Sequence, residues 1–122
     1  MNLRFDHLGL LSDTNQKNQD LADFFSGVLG LEISGNAAEG YAEVKAGAMT
    51  IALHTGAMID TFGPHGGTLL QFSSDDVHAD IAEIRARGGN VVLEPVETDW
   101  GTTSSYVAGP YGVLVELYKF NQ

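Results

Sequence analysis

The sequence predicts an α+β protein made of two β-α-β-β-β modules that together form one trough-like domain. Three observations predict it. The order strand, helix, three strands reads out twice along the chain, and a glycine- and proline-containing connector, Gly56 to Gly67, separates the two copies. The residues of the copies also superpose. Leu8-Gly-Leu-Leu-Ser-Asp13 lies over Leu70-Gln-Phe-Ser-Ser-Asp75 and Ala46-Gly47 over Ala108-Gly109, both at an offset of 62, and Leu21-Ala-Asp-Phe24 lies over Ile81-Ala-Glu-Ile84 at 60. A period near 60 in two copies is too long for a solenoid and indicates a paired-module domain over residues 1–122, with modules at about 4–56 and 67–120.

Each element has a local reason. From Phe5 the residues alternate, placing Leu8 and Leu10 on one face and Phe5, His7 and Gly9 on the other, as a strand requires. Asp13 or Thr14 caps a helix whose apolar residues Leu21, Phe24, Phe25 and Val28 recur at helical spacing, and Gly30 ends it. Strands follow at Leu31 to Ser34, Tyr41 to Ala46 and Met49 to His54. In the second copy, Leu69 to Ser74 alternates, Asp75 or Ser74 caps, and Val77, Ile81 and Ile84 line a helix that closes at Gly88-Gly89. Its strands are Val91 to Glu94, Thr103 to Ala108 and Gly112 to Phe120.

Composition narrows the function classes. The chain has 122 residues, 43% of them hydrophobic, enough for a core without disulfides, and no cysteine for thiolate metal sites or a thiol nucleophile. Six basic against sixteen acidic side chains give a net charge of −10, which repels nucleic-acid phosphates and anionic membranes and favours cationic ligands. Met1 to Asp6 lacks a signal-peptide pattern and no segment reaches the ~20 apolar residues of a membrane span, so a cytoplasmic protein is expected. A phosphate-binding glycine loop, a His-Glu-x-x-His helix and a Gly-x-Ser-x-Gly elbow are all missing, and Ser104 and Ser105 have no neighbouring histidine.

Several residues carry the resemblance to a known family. They are the first strand Asp6-His7-Leu-Gly-Leu-Leu-Ser-Asp13, the helix ending Phe24-Phe25-Ser-Gly-Val-Leu-Gly30-Leu31, and Gly109-Pro-Tyr-Gly-Val-Leu-Val-Glu116-Leu-Tyr. In this the chain resembles the vicinal oxygen chelate superfamily, which includes glyoxalase I, methylmalonyl-CoA epimerase, extradiol dioxygenases and bleomycin-resistance proteins. The resemblance implies two sheets curved into a partial barrel, often with the modules paired across a homodimer so that each cavity mixes residues from two chains, and a small organic ligand in that dimer cavity.

It also implies divalent-metal ligands at four equivalent points, the first and last strand of each module. His7 and Glu116 occupy two of them, with Glu116 the candidate proton carrier. The other two fall on Leu69 and, by apolar alternation, on Ala52; an ungapped offset of 62 places His54 there instead. His7, His54 and Glu116, with Gln71, would make a two-histidine, one-carboxylate set suited to zinc, nickel, manganese or iron. The alternative for His7 and Glu116 is a hydrogen bond to each other across the trough. His54, Gln71, Trp100, Tyr106 and Tyr118 are the candidate ligand-binding residues, with Tyr111 beside them, whereas His65 and His78 are read as facing solvent. Two functions follow: sequestration of a small molecule such as an antibiotic, or a metal-dependent lyase, isomerase or dioxygenase acting on a vicinal-oxygen substrate.

Overall fold

A computed structural model of the chain describes residues 1–59, 67–109 and 114–122. The strands are β1 (Arg4–Ser12), β2 (Ile33–Asn36), β3 (Tyr41–Ala46), β4 (Met49–Thr55), β5 (Thr68–Ser73), β6 (Asn90–Glu97), β7 (Thr102–Ala108) and β8 (Leu114–Phe120); the helices are α1 (Asn15–Asp23) and α2 (Val77–Ala86). They form an α+β fold with one eight-stranded sheet in the order β2-β3-β4-β1-β5-β8-β7-β6. Both modules thus join within a single chain, through the antiparallel pair β1 and β5.

That junction gives the repeat a physical meaning. Leu8 pairs with Leu70, His7 with Gln71 and Gly9 with Leu69, so the offset of 62 describes a local twofold passing through the Leu8–Leu70 pair. Each helix covers the outer face of its own module. Leu10, Ile51, Leu53, Ala42 and Val44 pack with Ala22 of α1, while Val115 and Leu117 pack with Val77 and Ile81 of α2. A third cluster, Leu11, Leu69, Tyr106 and Leu114, plugs one end of the inner face.

Local departures from the expected pattern have identifiable causes. The register of β1 slips between Phe5 and His7, a bulge that returns Phe5 to the outer face, where its ring meets Phe72 at 5.4 Å, edge to face. Phe5 therefore does not share a face with His7. The first helix gives way at Phe24 to a π-helical turn, Phe24–Val28, whose wider winding leaves Phe24 and Val28 exposed. The packed stripe is Asn18, Leu21, Ala22 and Phe25, the same spacing begun at a polar residue. Thr14 supplies the first cap, its Oγ1 accepting from the Lys17 amide at 3.1 Å. The second cap is Asp76 rather than Ser74 or Asp75: its Oδ1 accepts from the Ala79 amide at 3.0 Å, while Ser74 Oγ donates to the buried Asp80 at 2.6 Å and accepts from the Asp76 amide at 3.2 Å.

The ends of the sheet are built differently from its centre. At one edge β2 is only 4 residues long, and at the other β6 carries Pro95 and two irregularities in its pairing with β7. Among the described residues, no helix is long and apolar enough to cross a membrane.

Candidate functional site

The inner face of the sheet bounds a cavity of about 1130 Å³ that draws on both modules. Strand alternation decides what points into it. Tyr41 and Glu43 come from β3, His54 from β4, His7 from β1, Gln71 from β5, Tyr106 from β7, and Glu116 and Tyr118 from β8. Trp100, 62% exposed, and Phe120 stand at the rim. Every residue expected to bind ligand therefore lines one cavity, with Tyr106 almost fully buried and Trp100 largely in solvent. His78 is exposed, as read from the sequence, while His65 and Tyr111 lie outside the described residues.

The β1 bulge brings in a residue that alternation alone would have turned away. Asp6 and His7 both face the cavity, and Asp6 Oδ2 receives two hydrogen bonds, from the Tyr118 hydroxyl at 2.7 Å and from His7 Nδ1 at 2.5 Å. Burial opposes ionisation of Asp6, but these two bonds outweigh it and hold the carboxyl below its ordinary value. In the neutral tautomer that donates to Asp6 from Nδ1, His7 keeps a lone pair on Nε2. Burial and the Asp6 bond push the Tyr118 hydroxyl up.

Glu116 lies in the drier half, only 6% exposed. Gln71 Nε2 donates to its Oε1 at 3.0 Å, and Ser104 also bonds to it. Behind Ser104 stands a file of hydroxyls, with Ser104 to Thr102 and Thr102 to Thr98 each spanning 2.8 Å. His7 and Glu116 are thus each held by other partners and not by one another. Burial raises the Glu116 carboxyl above its ordinary value, against the hydrogen bonds of Ser104 and Gln71. Burial also lowers the His54 imidazole and pushes the Tyr106 hydroxyl up to about 12.

The raised carboxyl has a consequence for stability. Between the ordinary value of 4.5 and the raised one, the folded state holds a proton the unfolded chain has lost, so stability falls as pH rises through that window. Above it the penalty is complete. Glu116→Gln removes this titration, so its stability relative to wild type is expected to improve from acid to neutral pH in denaturant titrations. A difference constant with pH would show that burial does not govern this group.

The strand register also decides between the alternatives left open for the last strand of the first module. Gly9 pairs with Ala52 as its twofold counterpart Gln71 pairs with Glu116, so Ala52 and not His54 corresponds to Glu116. His54 corresponds to Tyr118. Leu69 and Ala52, both with 0% exposure, fill the counterparts of His7 and Glu116. A four-ligand metal set does not fit these residues, and among the described residues no three of His, Cys, Asp and Glu cluster as a metal site would need.

Fold and cavity together define a trough built from two modules on one continuous sheet. The chain belongs to the Glyoxalase/Bleomycin resistance protein/Dioxygenase superfamily, whose family model matches residues 4–117. No curated protein matches it by sequence. Among solved structures it is similar to the hypothetical protein BH1468 from Bacillus halodurans C-125, at 20% identity and a TM-score of 0.68 over 100% of this chain and 98% of that one. A superfamily member from Vibrio splendidus 12B01 gives 19% identity and a TM-score of 0.63, covering 96% and 98%. A Streptomyces coelicolor methylmalonyl-CoA epimerase variant in complex with 2-nitronate-propionyl-CoA gives 23% identity and 0.59, covering 94% and 95%.

Proposed function

We propose that the protein binds and sequesters a small organic cation with an aromatic or otherwise flat part, such as a basic antibiotic, within this cavity. One observation carries the reading: the sign of charge in the cavity is unmixed. Asp6, Glu39, Glu43 and Glu116 line it together with aromatic rings, and none of the chain's six Lys and Arg residues does. Those six are engaged elsewhere, Arg4 with Asp75, Lys17 with Asp13, Lys45 with Glu32, Arg85 with Glu94, Arg87 with Glu83, and Lys119 with the Asp75 carbonyl. A concave low-dielectric wall focuses such a field, and the rings add cation–π attraction of roughly 0.5–2 kcal/mol. A homodimer is the expected assembly, to which the exposed Trp100 and Phe120 would contribute apolar area.

Trp100 is the chain's single tryptophan and stands at the rim of the cavity, so its fluorescence responds to a ligand seated there. Titration with bleomycin is expected to quench it, with affinity weakening as salt rises, while naphthalene-2-sulfonate leaves it unchanged. Equal binding of the anion, or no salt dependence, would sink the proposal.

A metal-dependent lyase, isomerase or dioxygenase is the second reading. It is supported by the Asp6–His7 pair, since a carboxylate on Nδ1 leaves Nε2 oriented as a metal-binding histidine is. Zinc, nickel, manganese and ferrous titrations of wild type, His7→Ala and Glu116→Ala test it. Stoichiometric binding lost in both variants would displace the sequestration reading.

A further inference from the structure

The floor of the cavity holds two acceptors with no donor between them. His54 Nδ1 lies 3.2 Å from the Gly56 carbonyl oxygen, which only accepts, so the ring proton sits on Nδ1 and Nε2 presents its lone pair. Gln71 is oriented by its bond to Glu116, because a reversed amide would set its carbonyl oxygen against the carboxylate. Its Oε1 is consequently free to accept. Gln71 is 9% exposed, and its Oε1 and His54 Nε2 are both buried without a hydrogen-bond partner.

These two atoms converge over Gly9. A Cβ at that position would meet Gln71 Oε1 at 2.8 Å and His54 Nε2 at 3.2 Å, so only glycine lets both side chains close over the strand. Two acceptors cannot satisfy each other, and each left dry carries the penalty of an unpaired buried polar group. No cationic side chain of the protein lines this cavity. A group with at least two polar hydrogens completes the arrangement, and a positive charge on it suits the Glu116 carboxylate bonded to Gln71.

We propose that His54 Nε2 and Gln71 Oε1 form a paired-acceptor subsite for the N–H bonds of a ligand's primary ammonium or amidinium group, beside the Glu116 carboxylate. The proposal rests on the cation-binding reading above and sharpens it, for it separates cations by their hydrogen-bond donors rather than by charge. A quaternary ammonium carries the same charge and has no N–H bond. Hydrogen bonds that involve a charged partner are the stronger ones, enough for a preference of about tenfold or more.

The test compares benzylammonium with N,N,N-trimethylbenzylammonium by Trp100 fluorescence and by calorimetry. Wild type is expected to bind benzylammonium at least about tenfold more tightly, and in Gln71→Leu the ratio of the two affinities is expected to fall to near one. Equal affinities in wild type would overturn the subsite and leave the cation reading standing. A preference that persists unchanged in Gln71→Leu would overturn the assignment of the acceptors. Failure of both cations to bind would overturn the two readings together.

Discussion

Leu69→His is expected to give the protein divalent-metal affinity at least about tenfold above wild type. The local twofold through Leu8 and Leu70 relates position 69 to His7, so an imidazole there would join His7 Nε2 and the Glu116 carboxylate on the same inner face. Leu69 is fully buried in the plug with Leu11, Tyr106 and Leu114, and a polar ring without metal should destabilise that cluster. Zinc would reverse the loss. At a free concentration about 100 times its dissociation constant, binding to the folded state adds roughly 2.7 kcal/mol, a shift readily seen in thermal unfolding. A folded variant whose metal affinity matches wild type would show that positions 7, 69 and 116 do not converge.

Asn18→Leu is expected to cost about 2–4 kcal/mol of folding stability, measured by denaturant titration. Asn18 is completely buried on the packed face of α1, and its Nδ2 donates to the Ala37 carbonyl at 3.1 Å and to the Leu53 carbonyl at 3.3 Å. It fastens the helix to β4 and to the short 3-10 turn before β3. Leucine keeps the branching at Cγ but is larger and apolar, and it removes the side-chain donor from both buried carbonyls, leaving that of Ala37 with the Gly40 amide. A stability change under about 0.5 kcal/mol would mean that other donors replace the amide.

Asn18 also illustrates what the sequence conceals. The helical spacing of Leu21, Phe24, Phe25 and Val28 located the element, but an apolar count cannot include a buried asparagine or foresee the π-helical turn that exposes Phe24 and Val28. The two-module order, and the inward direction of His7 and Glu116, were legible because repeat offset and period-2 alternation are local properties. Asp6 as the partner of His7 was not, since the bulge in β1 exists only through pairing with a strand some sixty residues away. The choice between Ala52 and His54 likewise needed the cross-strand register, because the two modules differ in turn length between their helices and last strands. His54 and Gln71 were legible as cavity residues, while their unsatisfied atoms required the third dimension.

The outermost strands set how this molecule meets copies of itself. A strand of 4 residues offers few free amides to template another chain, and the opposite margin has Pro95, which lacks an amide hydrogen, inside the second of two breaks in pairing. Growth of the sheet by lateral addition is therefore blocked at both margins, which protects a mostly β protein against fibrillar self-association. Any ordered assembly must instead be made through side chains, on the rim or the helical backs.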